Sequence, residues 1–369
     1  MDLSRFQACG LADIHDKVLA GERLDIDDGA RLFACPDFLA VAALAHHVRV
    51  RLHGDKTFYV LNRHINYTNI CANDCLFCAF SRKEGQDGAF LLDHAAILDR
   101  IAAYRQDRVR EIHIVGGCHP ELRLEYFTDL LRLISARFPD VAIKGFTMVE
   151  IGHFAQLEGL STREVLLRLQ DAGLAMIPGG GAEIFAPEVR RRICPNKITG
   201  EEWLRIAEEA HGLGVKSNAT MLFGHIETVA DRLDHLDRLR RVQDRTGGFV
   251  CFIPLPFQTA HSRLKLETER AGGLDELKTI AVSRLMLDNI PHIKAYWVML
   301  TTKLAQVALH FGADDLDGTV VEEKIGHMAG ASSEQELTRR DLEAMIRGCG
   351  FTPVQRDALF NPLANGPNA

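Results

Sequence analysis

The sequence has no apolar run long enough to cross a membrane. Its most hydrophobic segment, FLAVAALA from Phe38 to Ala45, is far shorter than the roughly 20 residues that a transmembrane helix needs. The first residues mix charged and apolar side chains and lack the hydrophobic core of a signal peptide. We therefore expect a cytoplasmic protein that does not engage membranes.

An excess of positive charge is also missing. Lysine and arginine total 43 against 50 acidic residues, which gives a net charge of −7. Proteins that bind nucleic acids usually carry a basic stripe, so we expect no nucleic-acid partner. With 47% hydrophobic and 25% charged residues in 369, the composition is that of a globular protein. This length suits one α/β barrel with extensions.

The cysteines do not form a pattern typical of disulfides. There are nine of them, an odd number, and thiols stay reduced in the cytoplasm. Most are scattered and are expected to be small, packed hydrophobic side chains. Three, however, fall within eight positions, and a crowd of thiols in a reducing compartment points to a metal or to catalysis. These three are Cys71, Cys75 and Cys78.

From Tyr59 onwards, short β-rich runs alternate with longer amphipathic runs. This alternation predicts parallel strands joined by helices. No glycine fingerprint of a dinucleotide-binding fold follows the first strand. We therefore predict an α/β fold of the TIM type, a partial or complete (βα) barrel. The predicted strands begin at Tyr59, Glu111, Val141, Gly173, Gly214, Gly248 and Ile293.

Three regions are predicted along the chain. Residues 1–55 are a helical N-terminal extension, residues 56–357 form the barrel, and residues 358–369 are a C-terminal tail. Barrel enzymes carry their reactive groups at the carboxyl ends of strands. Polar and glycine-rich segments follow several predicted strands and should surround one mouth. They read VGGCHPE (Val115–Glu121), KGFTMVEI (Lys144–Ile151), IPGGGAEIF (Ile177–Phe185), SNATMLFGHIET (Ser217–Thr228) and IPLPFQTAHS (Ile253–Ser262).

The spacing of Cys71, Cys75 and Cys78 lets one loop turn three sulfurs toward one centre. Thiolates suit iron–sulfur clusters and zinc. One alternative is a set of buried, inert thiols, and another is a zinc site completed by a ligand such as His64. Structural zinc sites often use two paired Cys-x-x-Cys units, and no second pair exists here. The third interpretation is a three-thiolate [4Fe–4S] cluster with one iron open to an outside ligand.

The loop resembles the CxxxCxxC loop of the radical S-adenosylmethionine (SAM) superfamily, which also has an aromatic residue before the third cysteine. Here the matching residues are Cys71, Cys75, Phe77 and Cys78. The resemblance implies that these cysteines bind a [4Fe–4S] cluster. It also implies that SAM chelates the fourth iron and is cleaved to methionine and a 5′-deoxyadenosyl radical.

Other cofactor-binding candidates follow from this resemblance. Gly116 and Gly117 match a GGE-like turn of the superfamily, but Cys118 stands where the glutamate is usual, and Glu121 is displaced. The glycine run after the fourth strand lacks the lysine and serine of a nucleotide triphosphate cradle. It is interpreted as a close backbone approach to the adenosyl group, with a tight turn as the alternative. The predicted cofactor contacts are Phe77, Gly116, Gly117, Gly180, Glu183 and Asn218.

A narrower resemblance covers about residues 55–357. NRHINYTNIC, CLFCAFSR, KSNATMLFGHIET and GTVVEEKIGHMAGA are similar to the aminofutalosine synthase family of menaquinone biosynthesis. The resemblance implies addition of the deoxyadenosyl radical to the enolpyruvyl double bond of 3-[(1-carboxyvinyl)oxy]benzoate. Decarboxylation then gives 6-amino-6-deoxyfutalosine, so SAM is consumed as a co-substrate. A reductant such as flavodoxin or ferredoxin is the implied partner.

An aromatic dicarboxylate substrate needs cations or donors and an apolar wall that excludes water. We predict His225 and Arg82 as catalytic residues. For each cation a solvated surface charge is the alternative, and for His225 a structural hydrogen bond. Further candidate donors are Lys144, Lys216 and His261, and candidate wall residues are Phe80, Phe146, Phe223 and Phe257.

Two other functions stay open at this point. The first is a sibling activity, dehypoxanthine futalosine cyclase, which would use the same radical for ring closure. The second is a zinc-stabilised binding protein without catalytic activity. Family resemblance alone distinguishes the synthase from the cyclase. The iron or zinc content of the purified protein distinguishes both enzymes from the binding protein.

Overall fold

The computed structural model describes residues 2–103, 109–266 and 272–363. The chain begins with four helices, α1 (Leu3–Ala8), α2 (Ala12–Ala20), α3 (Ile26–Ala34) and α4 (Phe38–His53). Helix α3 starts with a capping box in which Asp25 and Asp28 satisfy each other's backbone N–H groups. Among the described residues, none of the helices combines the length and hydrophobicity needed to span a bilayer.

In the described part of the chain, ten strands follow in two sheets. The bounds of the strands are β1 (Lys56–Val60), β2 (Asn62–Ile65), β3 (Glu111–Ile114), β4 (Ala142–Gly145), β5 (Leu174–Ile177), β6 (Lys216–Phe223), β7 (Phe249–Pro256), β8 (His292–Ile293), β9 (Asp315–Gly318) and β10 (Thr352–Gln355).

The larger sheet contains β2 to β8 in sequential order, and every neighbouring pair is parallel. Helices cover its outer face, as parallel crossovers require. The predicted α/β barrel is therefore confirmed. The crossover helices are α5 (His94–Ala103), α6 (Leu124–Arg137), α7 (Met148–Glu158), α8 (Thr162–Asp171), α9 (Pro187–Ile193), α10 (Gly200–Gly212), α11 (Val229–Thr246) and α12 (Gly273–Met286).

The remaining elements follow β8 or flank β9. They are α13 (Trp297–Leu300), α14 (Thr302–Ala308), a 3₁₀ turn (Leu309–Phe311), α15 (Ile325–Ala329) and α16 (Arg339–Gly348). The predicted strand IKAYWVM was wrong beyond Ile293, because Trp297–Leu300 is helical. A short apolar run rich in aromatic residues does not distinguish a strand from a buried helical turn. Trp297 is buried there and donates to the Gly318 carbonyl at 2.9 Å.

The first predicted strand divides into two. β1 pairs with β9 and β10 in a small parallel sheet, whereas β2 pairs with β3 in the barrel sheet. Leu61 separates them, and its carbonyl already accepts from the Arg110 backbone N–H at 2.9 Å. One continuous β-rich run therefore serves two sheets. The predicted region boundaries at residues 55 and 357 stay a prediction, and residues 364–369 of the predicted tail lie outside the described residues.

Residues 314–323, the closing segment, fill the gap between β8 and β2. Asp315 bridges to Lys294 on one side, and Val321 bridges to Arg63 on the other. Within this segment Asp317, Val320 and Glu322 have φ angles of 72°, 52° and 64°. A left-handed β-branched residue such as Val320 is strained, and such strain collects at functional sites. The closing segment therefore completes the barrel wall at a conformational cost.

Candidate active site

The three clustered thiols line a cavity of about 310 Å³ in the barrel, at the end formed by the loops that follow the strands. We call this end the mouth; it is formed by residues 71–81, 116–118, 147–150, 178–183 and 197. Backbone hydrogen bonds fix the thiol loop. Cys71 donates to the Arg82 carbonyl at 3.0 Å, Ala72 to the Cys118 carbonyl at 2.8 Å and Leu76 to the Ile193 carbonyl at 2.8 Å.

The spacing of the sulfurs distinguishes between metal sites. One tetrahedral zinc ion draws its thiolates to about 3.8 Å from one another, given Zn–S bonds of about 2.3 Å. Within the described chain, no group of three histidine, cysteine or carboxylate ligand atoms that includes these thiols lies within 4.8 Å. An iron–sulfur cluster spreads its cysteines over separate irons. Cys71, Cys75 and Cys78 therefore fit a cluster better than a single ion.

The electrostatics of the three thiols differ. A hydrogen bond with the Cys118 thiol lowers the pKa of Cys71 to about 6, and the Cys118 N–H reinforces it at 3.4 Å. Burial instead raises the pKa of Cys75 to about 12 and also raises that of Cys78. Metal binding requires thiolates. Without metal, Cys71 is the most readily ionised of the three.

Two glycine turns allow the loops of the mouth to pack closely. A Cβ on Gly117 would lie 2.3 Å from the Ile70 carbonyl oxygen, and one on Gly179 would lie 2.5 Å from the Asn218 carbonyl carbon. No side chain fits at either place. Asn218 lines the cavity beside this turn, and its Oδ1 is buried without a hydrogen-bond partner. Buried polar atoms are rarely left so, and the predicted role of Asn218 as a cofactor contact stays a prediction.

Glu183 and Lys197 form a buried ion pair of 2.5 Å at the mouth. Lys197 also lies 5.2 Å from the centre of the Phe77 ring. Burial alone would lower the pKa of Lys197, but Cys75 and Glu183 raise it well above its usual value. A cation therefore stands beside the thiols. Nothing in the residues around Lys197 indicated this position from the sequence.

Glu150 is a second residue that sequence reasoning missed. Its carboxylate accepts from the Tyr67 hydroxyl at 2.8 Å, from Gly116 N–H at 3.1 Å and from Thr147 N–H at 2.7 Å. Burial raises its pKa to about 7. It therefore supports the turn at Gly116, where the usual glutamate is replaced by Cys118. The capping-box pattern of Thr147 and Glu150 was the available signal.

The opposite end of the cavity, the inner end, is lined by His64, His113, Lys144, Lys294 and Asp317. The first three stand one residue before the ends of β2, β3 and β4, below the loops of the mouth. Lys144 pairs with Glu111 at 2.6 Å, and Lys294 pairs with Asp317 at 2.7 Å. Burial lowers the pKa of His64 and of His113, so both imidazoles are neutral.

The two predicted catalytic residues lie outside the described lining of the cavity. Arg82 donates to the Ala79 and Ser81 carbonyls at 2.9 Å each. The His225 ring is buried, with Nε2 3.1 Å from the Leu222 carbonyl oxygen. Both engage backbone, as a structural residue would, and a catalytic role for them stays a prediction.

The other substrate candidates divide in the same way. Lys144, Phe80 and Phe257 line the cavity. Lys216 bonds the Gly247 carbonyl at the amino end of β6, away from the mouth. Phe146 packs against Phe127 in the core under the helices, with ring centres 5.2 Å apart. The candidates that lie outside the described lining of the cavity are Lys216, Phe146, Phe223 and His261.

Comparison with known proteins gives the family. The Radical SAM superfamily model matches residues 65–239, and the CofH/MqnC C-terminal region model matches residues 246–367. Aminodeoxyfutalosine synthase of Thermus thermophilus is 48% identical over 356 residues, which cover 96% of each chain. The chain belongs to the radical SAM superfamily. As a radical SAM enzyme it uses a [4Fe–4S] cluster and SAM, as predicted, and the hypothesis of a non-catalytic zinc protein was wrong.

Further relatives agree in length. Aminodeoxyfutalosine synthase of Streptomyces coelicolor is 43% identical, over 95% of this chain and 93% of its own. The 5-amino-6-(D-ribitylamino)uracil–L-tyrosine 4-hydroxyphenyl transferase of Methanopyrus kandleri is 40% identical, over 92% and 94%.

Solved structures agree in fold. The hydrogenase maturase HydG of Carboxydothermus hydrogenoformans aligns with a TM-score of 0.75 at 18% identity, over 96% of this chain and 82% of that one. Methylornithine synthase (PylB) aligns with a TM-score of 0.73 at 17% identity, over 92% and 96%.

Proposed function

We propose that this radical SAM enzyme catalyses the reaction of aminodeoxyfutalosine synthase. It would join the 5′-deoxyadenosyl carbon of SAM to the enolpyruvyl double bond of 3-[(1-carboxyvinyl)oxy]benzoate, with loss of the carboxyl carbon. Identities of 48% and 43% over nearly the whole of both relatives support this choice. The product would be 6-amino-6-deoxyfutalosine, an intermediate of menaquinone biosynthesis.

The observation that carries the proposal is that one cavity contains both the thiols and a set of buried donors. Cys71, Cys75 and Cys78 would hold the cluster at the mouth. When bound, the cluster supplies the electron that cleaves SAM and so provides the radical. The remaining contributions, which are binding, orientation and exclusion of water, come from the residues of the chain.

For SAM we propose a site at the mouth. The Gly179–Gly181 turn lines the cavity, and the absence of side chains lets Gly179 pack against Asn218 and Gly181 against Val149, which holds the turn close to the site. Glu183 is positioned to accept from hydroxyl or amino groups, and Lys197 beside it offers a cation to a carboxylate. Asn218 supplies an unpartnered amide oxygen. Phe77, Gly116, Gly117 and Gly180 complete the set predicted from the sequence and line the same cavity.

For the substrate we propose the inner part of the cavity. Its wall contains Ile253, Leu255 and Phe257 from β7 and the loop after it, and Phe80 of the mouth lines the same cavity. Such a wall fits an aromatic ring and keeps water from a carbon radical. Lys144 and Lys294 provide buried positive charge for a dianion. The reductant, expected to be a small flavodoxin or ferredoxin, and a cytoplasmic location stay predictions.

A product assay tests the proposed function. The anaerobically reconstituted enzyme is supplied with reductant, SAM and 3-[(1-carboxyvinyl)oxy]benzoate, and products are identified by mass spectrometry. We expect an adduct that contains the adenosyl group, and none from the Cys75→Ala protein. Stoichiometric 5′-deoxyadenosine without adduct would contradict the proposal. Parallel reactions with dehypoxanthine futalosine, and with tyrosine plus 5-amino-6-(D-ribitylamino)uracil, would reveal the sibling activities.

A further inference from the structure

His64 is a buried side chain whose polar atom has no use within the protein. It lies on β2 and lines the cavity, yet its Nε2 has no hydrogen-bond partner among the described residues. Only about 5% of the residue is exposed. Of the described residues with such an atom, His64 and Asn218 alone line the cavity. A buried polar group without a partner is costly and calls for an explanation.

The position of His64 is fixed by strand register. His64 pairs with His113 on β3, and His113 pairs with Lys144 on β4. Side chains at paired positions of parallel strands point to the same face. The result is a row of three nitrogen-bearing side chains across the barrel interior, with the two imidazole rings stacked 4.4 Å apart. The row is built at one level of the cavity.

The carboxylates around this row each have a charged partner, although Glu111 Oε2 accepts no hydrogen bond from the described residues. Glu111 is paired with Lys144 at 2.6 Å, and Asp317 is paired with Lys294 at 2.7 Å. Glu323 accepts from the Gly326 N–H at 2.9 Å and from His327. None of them takes the free nitrogen of His64. In the tautomer that carries its proton on Nε2, the imidazole is therefore free to donate to an acceptor from outside the chain.

The closing segment holds His64 in place. The His64 backbone N–H donates to the Val321 carbonyl at 3.0 Å, and Asn62 on the same strand accepts from the Val320 N–H at 2.9 Å. Val320 is the β-branched one of the three residues of that segment with left-handed φ, at 52°. Strain of this kind persists where the surrounding contacts enforce it. The contacts that enforce it here are those that position β2 and its histidine.

We propose that the His64 imidazole donates a hydrogen bond to the carboxylate on the aromatic ring of the substrate, at the inner end of the cavity, with Lys144 as its neighbouring cation. This inference rests on the proposed function. The enolpyruvyl double bond must face the mouth, where the deoxyadenosyl carbon is generated. The ring carboxylate is remote from that bond and so points inward. His64 is thus a positioning residue, one that sets the depth of the ring.

A comparison of two enzymes with two substrates tests the proposed hydrogen bond between His64 and the ring carboxylate. Wild type and His64→Phe, which keeps an aromatic ring against His113, are assayed with the full substrate and with 2-phenoxyacrylate, which lacks the ring carboxylate. Removal of a hydrogen bond to a charged group costs about 10- to 100-fold in binding. For wild type, we expect kcat/KM to be about 10- to 100-fold lower with the analogue than with the full substrate. His64→Phe should lose this factor on the full substrate, through KM, and the further loss on the analogue should be smaller than the loss in wild type, since only the contribution of Lys144 remains.

His64→Gln, which keeps an N–H at similar reach, should restore much of the preference for the full substrate. Iron content and the dissociation constant of SAM should stay unchanged in both variants. If the change from full substrate to analogue lowers kcat/KM by the same factor in wild type and in His64→Phe, the inference is overturned. Should His64→Phe fail to fold, His64→Gln decides: preference kept supports the inference, and preference lost with iron intact overturns it. Absence of adduct from wild type would instead overturn the proposed function.

Discussion

The two ends of the cavity are built in different ways. The mouth consists of loops, and its three thiols come from one stretch of eight residues, Cys71 to Cys78. The inner end consists of strand residues that are far apart in sequence, such as His64, Lys144 and Lys294, with the closing segment. Its charges are paired, whereas the mouth combines thiols with glycine turns. The difference agrees with the proposed division, in which the mouth holds a cofactor common to a superfamily and the inner end holds one substrate.

The largest effect is expected at the mouth. Cys75→Ala should abolish SAM cleavage, by at least about a thousandfold, because cluster binding and potential depend on all three thiolates. Circular dichroism should show a folded barrel. The matched control is Cys349→Ala, a half-buried thiol at the end of α16, which should cleave SAM normally. Near-normal methionine release by Cys75→Ala would contradict the assignment of the cluster to the three thiols of the mouth.

The next effect sharpens the view of the inner end as a folded ion-pair network. Glu111→Gln removes the carboxylate that lies 2.6 Å from Lys144, so Lys144 loses its buried ion-pair partner, whereas Arg356, 3.9 Å from Glu111, keeps its pair with Asp315 at 2.5 Å. Removal of one partner from a buried pair costs about 3–5 kcal/mol of unfolding free energy. Glu201→Gln, which breaks an exposed pair with Arg238, should cost less than about 1 kcal/mol. Equal denaturation midpoints in the two variants would show that the inner network does not stabilise the fold.

A pH effect should single out the mouth. Burial raises the pKa of Glu150 to about 7, above its value in the unfolded chain. The folded protein therefore binds more protons between the two pKa values, so its stability falls as pH rises toward 7 and levels off above it. The loss should be roughly 3 kcal/mol, at about 1.4 kcal/mol per pKa unit. Denaturant titrations of wild type and Glu150→Gln between pH 5 and pH 8 measure this loss of unfolding free energy. If the two proteins show the same dependence of unfolding free energy on pH, the role of Glu150 is contradicted.

The smallest effect concerns the glycine turn of the mouth. In Gly179→Ala the added Cβ meets the backbone of Asn218 and Ala219 at 2.5 and 2.6 Å. Forced packing of this kind costs about 1–3 kcal/mol and should displace the turn, which weakens SAM binding. The control is Gly212→Ala at the end of α10, where a Cβ meets nothing within 4 Å. Isothermal titration with SAM should separate the two variants, and equal affinities would exclude the turn from the SAM site.

The features of the fold and site that the sequence predicted are those whose pattern lies within a short stretch of the chain. The βα alternation is a local periodicity, and it gave the strands of the barrel, although not the break at Leu61 or the helical turn at Trp297. Glu183 and Asn218 were predicted from short motifs, and both line the cavity. Arg82 and His225 stand in similar motifs but bond the backbone instead. A motif places a residue near the end of a strand without stating which way its side chain points.

The sequence by itself determined the thiol triplet and the α/β barrel, because three ligands within eight residues and a regular βα repeat need no long-range information. Only the tertiary structure decided the inner end. His64 and Lys144 become neighbours of His113 through strand register, and Asp317 reaches Lys294 through the closing segment. Register and barrel closure are set by packing over the whole chain. For that reason the unpartnered nitrogen of His64, rather than any motif, indicates where the substrate ring ends.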